Sequence, residues 1–286
     1  FRSGFDPHFA PGYFEDTDLA MRASAIGLKI RYQPFSRVVH VEGATSGTRL
    51  DSGMKAFQIP HQQKFLQRWQ TELERRPKRP TTQKENVALP FAWPGKKILV
   101  VDEHVPRSNA DSGSLRLFHM MQILARENGN VHFVTPDLAY DTEYTPRLQR
   151  AGIACHYRPW CNDFHAWLRT HAVHFDLIIV CRVGLMDSLY TTLRQWAPKA
   201  SLIFDTVDLH HIREARQATL AKSERLRKQA EKTREREYEL IGKCEETWVV
   251  SETERDALQK LFPPKTIRCI SNIHEQRANT PSYRDR

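Results

Sequence analysis

The chain has 286 residues, of which 40% are hydrophobic and 27% are charged, so it can bury the cores of two ordinary domains. This balance excludes a disordered or fibrous protein, and no apolar run approaches the roughly 18 residues that cross a bilayer. The net charge of +9 does not by itself distinguish nucleic acid, anionic lipid and phosphorylated ligands as partners.

Two further features bear on the context of the chain. It begins at Phe1 without a basic and apolar leader, which predicts an internal piece of a longer protein. Its cysteines are odd in number and include no C-x-x-C pair, so reduced thiols and a cytoplasmic location are predicted. They are Cys155, Cys161, Cys181, Cys244 and Cys269.

In the first segment, three carboxylates crowd the start of a predicted helix. Turn-forming residues lead into Glu15, Asp16 and Asp18, and the helix is predicted to run over residues 20–26 and to end at Gly27. On this spacing alone Asp16 or Asp18 caps the helix, because a free helix N-terminus stabilises anions. A second helical core face is indicated by apolar residues and one histidine at helical spacing: Met54, Phe57, His61, Phe65, Trp69 and Leu73.

The first quarter of the chain also keeps a longer ordered set of motifs. The set comprises Phe5-Asp6, Pro11-Gly12-Tyr13-Phe14-Glu15-Asp16-Thr17-Asp18-Leu19, Arg22, Gly27, Tyr32-Gln33-Pro34, Val38-Val39-His40, Gly43-Ala44-Thr45-Ser46-Gly47 and Lys64-Phe65-Leu66-Gln67-Arg68-Trp69. As a combined pattern it resembles the C-terminal part of family 2 glycosyltransferases of GT-A fold.

This resemblance implies roles for three side chains. Asp16 takes the position of the general base that draws a proton from the acceptor hydroxyl, and Glu15 supports it or touches the acceptor. A divalent metal, Mg²⁺ or Mn²⁺, is implied near His40, since histidine suits such ions. A structural role for this single histidine stays open, as does helix capping for Asp16.

A linker is predicted over residues 76–95. This stretch combines four prolines with a run of basic residues, a composition typical of a connection between domains. The residues that produce it are Arg76, Pro77, Lys78, Arg79, Pro80, Pro90 and Pro94.

After the linker, short β-rich runs alternate with helical stretches, which predicts a parallel sheet covered by helices. The helix after the first run is predicted to pack through Leu115, Phe118, Met121 or Gln122, and Ala125, and to stop at Gly129. One long helix with mostly solvated faces is predicted over residues 212–246. The β-rich runs are residues 98–102, 131–135, 153–157, 177–181, 202–205, 247–250 and 267–270.

Two other interpretations of this segment fail. Asp102 and Glu103 end the first run as in a response regulator, but the run at residues 176–180 continues into Cys181-Arg182 instead of a phosphorylatable aspartate. The loop at residues 106–113 lacks G-x-G-x-x-G, so a nicotinamide fingerprint is unsupported.

Three stretches follow the β-rich runs in order: Asp205-Thr206-Val207-Asp208-Leu209-His210-His211-Ile212-Arg213-Glu214-Ala215-Arg216, Trp248-Val249-Val250-Ser251-Glu252-Thr253-Glu254 and Ile270-Ser271-Asn272-Ile273-His274-Glu275. With the alternating pattern, they resemble the N-terminal Rossmann-like domain of family 4 glycosyltransferases of GT-B fold. That domain mainly holds the acceptor, and no cofactor is expected for it.

The GT-B resemblance places an acceptor cleft at the carboxyl ends of the strands. Substrate-binding residues are expected there, while a turn, a cap or a supporting role stays open for each. Adjacent histidines do not point to one side of an element, so the pair at positions 210 and 211 does not predict zinc. The expected binding residues are Asn109, Gly113, Asp208, His210 and Ser251.

Together the resemblances predict an α/β protein in four parts. Residues 1–75 are the C-terminal part of a GT-A domain, residues 76–95 a linker, residues 96–275 a doubly wound parallel sheet forming the first half of a GT-B fold, and residues 276–286 a tail. Because each implied active site needs a part outside these residues, the piece alone is expected to be inactive.

The predicted function is hexosyl transfer from nucleotide-sugar donors to a glycan or lipid-linked acceptor in surface polysaccharide synthesis. Peripheral contact with the anionic inner face of the membrane is compatible with the basic charge. The alternative is an inactive glycosyltransferase-like scaffold or binding module. Nucleic-acid binding is disfavoured, because the basic helical stretch mixes Glu with Lys and Arg and no nucleic-acid module accompanies it.

Overall fold

The computed structural model describes residues 4–28, 30, 36–39, 52–92, 95–127 and 129–274. The chain divides into two compact units, residues 1–78 and residues 79–286. Within the described ranges, no helix is both long and apolar enough to cross a membrane. All five cysteines carry free thiols.

The first unit is built around two helices in its described part. Helix α1 spans Glu15–Ala25 and helix α2 spans Gln58–Glu74, with 3₁₀ turns at Pro7–Phe9 and Gly53–Phe57. Phe9, Met21 and Phe65 form the core. Trp69 and Leu73 pack against this core and His61 is buried, which confirms the α2 part of the predicted core face. Phe57, in the 3₁₀ turn before α2, is exposed instead.

Helix α1 begins without the side-chain cap that the sequence predicts. Its N-cap is Phe14, held in the left-handed region at φ 69°, and no described side chain caps the helix. Asp16 and Asp18 both lie inside the first turn, so helix capping by either residue is wrong. The predicted stop is confirmed, because Gly27 adopts φ +83° just after the helix.

The second unit is built on a sheet of parallel strands. Seven strands lie in the described residues, in the order β3-β2-β1-β4-β5-β6-β7, and every neighbouring pair is parallel. This order is Rossmann-like. The bounds of the strands confirm the predicted β-rich runs to within one residue at each end. The strands are β1 Lys97–Val101, β2 Asn130–Val134, β3 Ala154–His156, β4 Leu177–Cys181, β5 Ser201–Asp205, β6 Glu246–Val249 and β7 Thr266–Cys269.

Helices alternate with these strands along the chain. Helix α3 precedes β1, and the others connect successive strands. They are α3 Gln83–Ala88, α4 Ser112–Arg126, α5 Tyr144–Arg150, α6 Phe164–His171, α7 Val183–Trp196, α8 His210–Leu220, α9 Glu224–Lys243 and α10 Glu252–Leu261.

Both faces of the sheet are buried, as in other doubly wound folds. In β1, Leu99 and Val101 enter one core, whereas Ile98 and Val100 enter the other. Side chains of α6, α7, α9 and α10 join the first core, and those of α4 and α5 join the second. The strands therefore read as continuous apolar runs.

Helix α4 is confirmed, but its buried face is turned from the predicted one. Met121 and Ala125 are buried as expected, together with Leu117 and Met120, while Leu115 and Phe118 are only partly buried. The difference arises because the neighbouring Arg116 also points inward, where it meets a buried charge described below. The stop is confirmed, since a Cβ at Gly129 would lie 2.5 Å from the Leu124 carbonyl oxygen.

The predicted long helix over residues 212–246 is wrong, because two helices occupy this stretch. Lys222 adopts φ 48° between α8 and α9. The Ser223 hydroxyl then caps α9 by accepting a hydrogen bond from the Leu226 N–H at 3.4 Å. The helix breaks here because the Ser223 hydroxyl satisfies a free backbone N–H in the first turn of α9, so a second helix can begin at this point.

A buried carboxylate joins the two helices. Glu237 on α9 is fully buried and accepts hydrogen bonds from the backbone N–H groups of His210 at 2.8 Å and His211 at 3.2 Å. His211 Nδ1 also contacts it. Because an anion at a helix N-terminus satisfies free N–H groups, Glu237 fixes the start of α8 beside the end of α9, so the helices are antiparallel.

The C-terminal part of the predicted linker is folded into the second unit. Helix α3 starts with a capping box formed by Thr82 and Glu85, and a 3₁₀ turn follows at Leu89–Phe91. The Phe91 side chain is buried, and its ring stacks on His132 and on His174 with 4.8 Å between centroids in each pair.

A chain of hydrogen bonds runs under this turn. Asn130 Nδ2 donates to the Pro90 carbonyl at 2.8 Å, so Asn130 Oδ1 accepts from His132 Nε2 at 3.2 Å. His132 Nδ1 must then accept from His156 Nε2, which lies 2.9 Å away. Burial, together with the charge of His171, lowers the pKa of His132 to about 4. Burial and neighbouring histidines lower that of His156 to about 3.

The lowered pKa values of His132 and His156 predict a loss of stability in mild acid. Their pKa values are lower in the folded protein than the ordinary 6.5, so their contribution is complete above pH 6.5 and is lost as the pH falls toward 4. Between pH 6.5 and 5 we expect the free energy of unfolding to fall by about 2 kcal/mol for each histidine. Urea unfolding across this range measures the loss.

Two variants isolate the contribution. His132→Gln keeps one donor and one acceptor but cannot titrate, so its stability should fall less with acid than that of the wild type. His165, which is exposed, supplies the matched control, and His165→Gln should follow the wild type. Equal pH dependence in all three proteins would contradict the assignment.

Candidate functional site

The site lies where the strand order reverses. β1 pairs with β2 on one side and with β4 on the other, so the connections after β1 and β4 leave this point in opposite directions. In open parallel sheets a crevice forms outside the carboxyl ends of such strands. Asp102 and Arg182, the first residues after β1 and β4, stand at this crevice.

An open cleft of about 460 Å³ occupies this position. The loops after β1, β2 and β4 form its walls, and the start of α4 contributes Asp111 and Ser114. The lining residues are Asp102, His104, Val105, Arg107, Asp111, Ser114, Asp137, Ala139, Tyr140, Asp141 and Arg182.

Asp102 and Arg182 form the charged pair at the base of the cleft. Arg182 Nε donates to Asp102 Oδ1 at 2.9 Å, and the Glu103 N–H donates to the same oxygen at 2.8 Å. Among the described residues, none donates to Asp102 Oδ2. Burial raises the pKa of Asp102, and the charge of Asp205 adds to this, against the opposing effect of Arg182. A buried carboxyl with a raised pKa in a cleft is a candidate for binding or proton transfer.

Two other carboxylates of the cleft start helices. Asp111 caps α4 by accepting from the Ser114 N–H at 2.8 Å and from its hydroxyl at 2.7 Å. Asp141 accepts from the Tyr144 N–H at 3.0 Å and pairs with Arg107 at 3.4 Å. These bonds fix the walls of the cleft, so Asp111 and Asp141 have structural roles there.

The backbone around the carboxyl edge is strained. Leu138 follows β2 at φ 54°, Arg182 follows β4 at φ 71° and Val207 follows β5 at φ 63°. A β-branched residue such as Val207 rarely adopts a positive φ. Strain of this kind persists where surrounding structure enforces it, and it concentrates at functional sites.

Behind the cleft lies a fully buried ion pair. Arg116 Nη1 donates to Asp205 Oδ2 at 2.8 Å, and the two side chains are 1% and 0% exposed. Arg116 Nε donates to the Ile270 carbonyl at 2.6 Å, whereas its Nη2 finds no hydrogen-bond partner in the described part of the chain. Burial, with the charges of Asp102 and Asp205, raises the pKa of the adjacent Cys181 thiol, which keeps it protonated.

Two of the predicted binding residues lie near the cleft without lining it. Asn109 Oδ1 accepts a hydrogen bond from the Tyr144 hydroxyl, so its side chain is committed to the start of α5. Gly113 lies in the first turn of α4, where an added Cβ would lie 3.2 Å from Val207 Cγ1. Its role in the structure is close packing of α4 against the loop after β5.

The other three predicted residues gather around a second hollow. Asp208 and Ser251 line a space of about 410 Å³ between α8 and α10. His210 Nε2 lies 3.1 Å from Asp208 Oδ1, and Arg213 Nη1 lies 2.9 Å from Asp208 Oδ2. Burial alone would raise the pKa of Asp208, but His210, Arg213 and Arg182 together lower it. Ser251 caps α10 by accepting from the Glu254 N–H at 3.2 Å.

In the first unit, Asp16 and Asp18 have different surroundings. Asp16 is exposed, and its Oδ1 accepts from the N–H of Thr17 at 2.6 Å. Asp18 is fully buried and accepts hydrogen bonds from Arg22, Arg68 and Trp69 at 2.7, 3.0 and 2.9 Å. Asp18 therefore joins α1 to α2.

Glu15 completes the acidic group at the start of α1. Its Oε2 is buried and has no hydrogen-bond partner among the described residues. His40 lies outside the described residues, and the described part of the chain contains no group of three or more potential metal ligands. The metal implied for the first segment stays a prediction.

Asp102 and Arg182 were not identified as site residues from the sequence, although a signal existed. Each is the first charged residue after a buried apolar run, and the Rossmann-like order makes these two runs neighbours. Arg116 and Glu237 gave no such signal, because a charged residue within a helix is ordinarily solvated and the partner that buries each of them is distant in the sequence.

No protein-family model matches the chain, and no curated protein matches it at a significant level. The assignment of function therefore depends on the geometry of the site and on the motif resemblances.

The surroundings of Asp18 predict that it stabilises the first unit more than Asp16 does. Asp18→Asn removes the buried charge to which Arg22, Arg68 and Trp69 donate hydrogen bonds, so we expect a loss of roughly 3 kcal/mol and a lower melting temperature. Burial alone would raise the pKa of Asp18, but its three hydrogen-bond donors lower it. Its contribution is thus present above the ordinary value of 3.8 and is lost as the pH falls through the folded value.

Asp16→Asn is the matched control, since it replaces an exposed carboxylate two positions away. Its melting temperature should stay within about 1 °C of the wild type, because isolated surface substitutions have small effects. Thermal unfolding of both variants decides the matter, and a larger loss for Asp16→Asn than for Asp18→Asn would refute this account.

Proposed function

We propose that the chain is part of a modular glycosyltransferase in which residues 96–275 bind a glycan or lipid-linked acceptor. The observation that carries the proposal is the cleft at the strand-order reversal, with Asp102 at its base. Ligands of doubly wound proteins bind at this position. The motif resemblances to family 2 and family 4 glycosyltransferases support the same assignment.

The charge of the cleft suits a neutral, hydroxyl-rich ligand better than a nucleotide. Its lining includes four aspartates, at positions 102, 111, 137 and 141, against the two arginines Arg107 and Arg182. Carboxylates accept hydrogen bonds from hydroxyl groups, whereas they repel phosphates. The nucleotide-sugar donor is therefore assigned to another domain of the enzyme, in keeping with the GT-B resemblance.

Asp102 is proposed to bind and orient the acceptor hydroxyl. Its Oδ1 is fixed by Arg182 and the Glu103 N–H, so Oδ2 can accept a hydrogen bond from the ligand without rearrangement. A preorganised carboxylate holds the hydroxyl oxygen where it can attack the anomeric carbon of the donor sugar. The nucleoside diphosphate leaves with the bonding electrons of the broken glycosidic bond, and a phosphate oxygen of this leaving group takes up the proton of the attacking hydroxyl.

Residues 1–75 are proposed to form the C-terminal part of a first transferase domain. Asp16 has the exposure that a general base needs to reach an acceptor, and the unpartnered Oε2 of Glu15 is available for a polar contact. Asp18 is excluded from this chemistry, since all its bonds are to Arg22, Arg68 and Trp69. A divalent ion near His40 would stabilise the leaving diphosphate.

The test is acceptor-dependent sugar transfer by the full-length protein that contains this chain. Labelled uridine and guanosine diphosphate sugars are supplied with membrane glycolipids as acceptors. Asp102→Asn removes the charge that binds the hydroxyl, so kcat/KM for the acceptor should fall roughly 10- to 150-fold. The acid limb of the pH profile should disappear, because the raised pKa of Asp102 sets that limb in the wild type.

The control is Asp256→Asn, which replaces an exposed aspartate on α10 and should leave kcat/KM unchanged. Melting temperatures show whether a variant is folded. Transfer that is insensitive to Asp102→Asn would exclude the cleft as the acceptor site. Failure to transfer any of these sugars would favour the inactive scaffold.

A further inference from the structure

Three aromatic side chains in the loops after β2 and β3 are exposed or only partly buried. Trp160 is 81% exposed and Tyr140 is 37% exposed, while Tyr157 is partly buried. The other described tryptophans are buried or partly buried. An exposed apolar patch that is rimmed by polar residues is a candidate binding surface.

Two loops hold these side chains in place. The Arg158 N–H donates to the Leu138 carbonyl at 3.1 Å, which ties the loop after β3 to the loop after β2. The Cys161 N–H donates to the Tyr157 carbonyl at 3.0 Å and closes the turn that presents Trp160. The rings of Tyr140 and Tyr157 lie 4.7 Å apart.

Tyr140 connects this surface to the cleft. It lines the cleft with Asp102, Asp137 and Asp141, and it packs on Tyr157 in the neighbouring loop. Tyr140, Tyr157 and the exposed Trp160, which lies in the turn after Tyr157, are here called the aromatic wall, and Tyr140 joins this wall to the carboxylates of the cleft. One ligand can therefore contact both the aromatic wall and the carboxylates of the cleft.

We propose that the aromatic wall binds the apolar face of a second sugar unit of a glycan acceptor whose terminal sugar occupies the cleft. This inference rests on the proposed function and names its substrate class, an oligosaccharide rather than a single sugar. The C–H groups on one face of a pyranose carry partial positive charge, and an aromatic face is negative. The hydroxyls of the next sugar then meet the carboxylates of the cleft.

The same observations disfavour a nucleotide base on the wall. A base would bring its phosphates toward Asp137 and Asp141, where only Arg107 and Arg182 among the cleft residues offset the carboxylates. An uncharged sugar chain satisfies both parts of the surface, because it pairs apolar faces with aromatic rings and hydroxyls with carboxylates.

The test uses the 286-residue chain with its tryptophans labelled as 5-fluorotryptophan, followed by fluorine NMR. The probes are neutral hexasaccharides of glucose, mannose, galactose and N-acetylglucosamine, each compared with its monosaccharide at millimolar concentration. Trp160→Phe identifies the Trp160 signal. At least one hexasaccharide should shift this signal and bind more tightly than its monosaccharide.

Variants separate the wall from the cleft. Tyr140→Ala, followed by the Trp160 signal, and Trp160→Ala, which lacks that signal and is followed by isothermal titration calorimetry, should each weaken binding by about 3- to 10-fold. Leu220→Ala, a matched change at an 86% exposed residue on α8, should have no effect in either measurement. Asp102→Asn should weaken binding as well if the terminal sugar lies in the cleft.

The outcomes distinguish the two proposals. If Asp102→Asn weakens binding and the aromatic variants do not, the wall is wrong while the acceptor cleft stands. If the aromatic variants weaken binding and Asp102→Asn does not, the wall stands and the cleft fails as the acceptor site. If no hexasaccharide shifts the Trp160 signal, the proposal that the aromatic wall binds a sugar unit is wrong.

Discussion

The ion pair between Arg116 and Asp205 is the constraint on which the carboxyl edge of the sheet depends. Both side chains are almost fully buried, so removing either would leave a charge without a partner in a poorly solvated interior. Through its bond to the Ile270 carbonyl, Arg116 also links α4 to the end of β7. Since α4 begins at Asp111 in the wall of the cleft, this pair fixes the position of that wall.

The charges at the carboxyl edge form two layers with different tasks. Arg116 and Asp205 form the inner layer, which is sealed from solvent and structural. Asp102 and Arg182 form the outer layer, where Arg182 is 24% exposed and Asp102 lines the cleft. Burial raises the pKa of Asp102, and the charge of Asp205 in the inner layer adds to this effect.

The sheet could be predicted from the sequence because its strands are buried on both faces. Each strand is then a short apolar run, and the alternation with helices gives parallel pairing. The pairing order was not predicted strand by strand, yet it decides that Asp102 and Arg182 meet. Sequence spacing could not show this, because the two residues are 80 positions apart in the chain.

The errors of prediction share a physical cause. Asp18, Arg116 and Glu237 are charged residues on helices, and their patterns are those of solvated or capping positions. Each is buried because a partner elsewhere in the fold offsets its charge: Arg68 for Asp18, Asp205 for Arg116, and the N-terminus of α8 for Glu237. Tertiary pairing overrides local pattern in all three.

Hydrogen exchange measured with and without a bound acceptor tests the central claim most directly. The ligand is the glycan that supports transfer by the full-length protein, and exchange is followed by mass spectrometry. We predict slower exchange in the loops after β1, β2 and β4, which contain Asp102, Tyr140 and Arg182. Slower exchange confined to the hollow around Asp208 and Ser251, or to the first unit, would contradict the assignment of the cleft as the acceptor site.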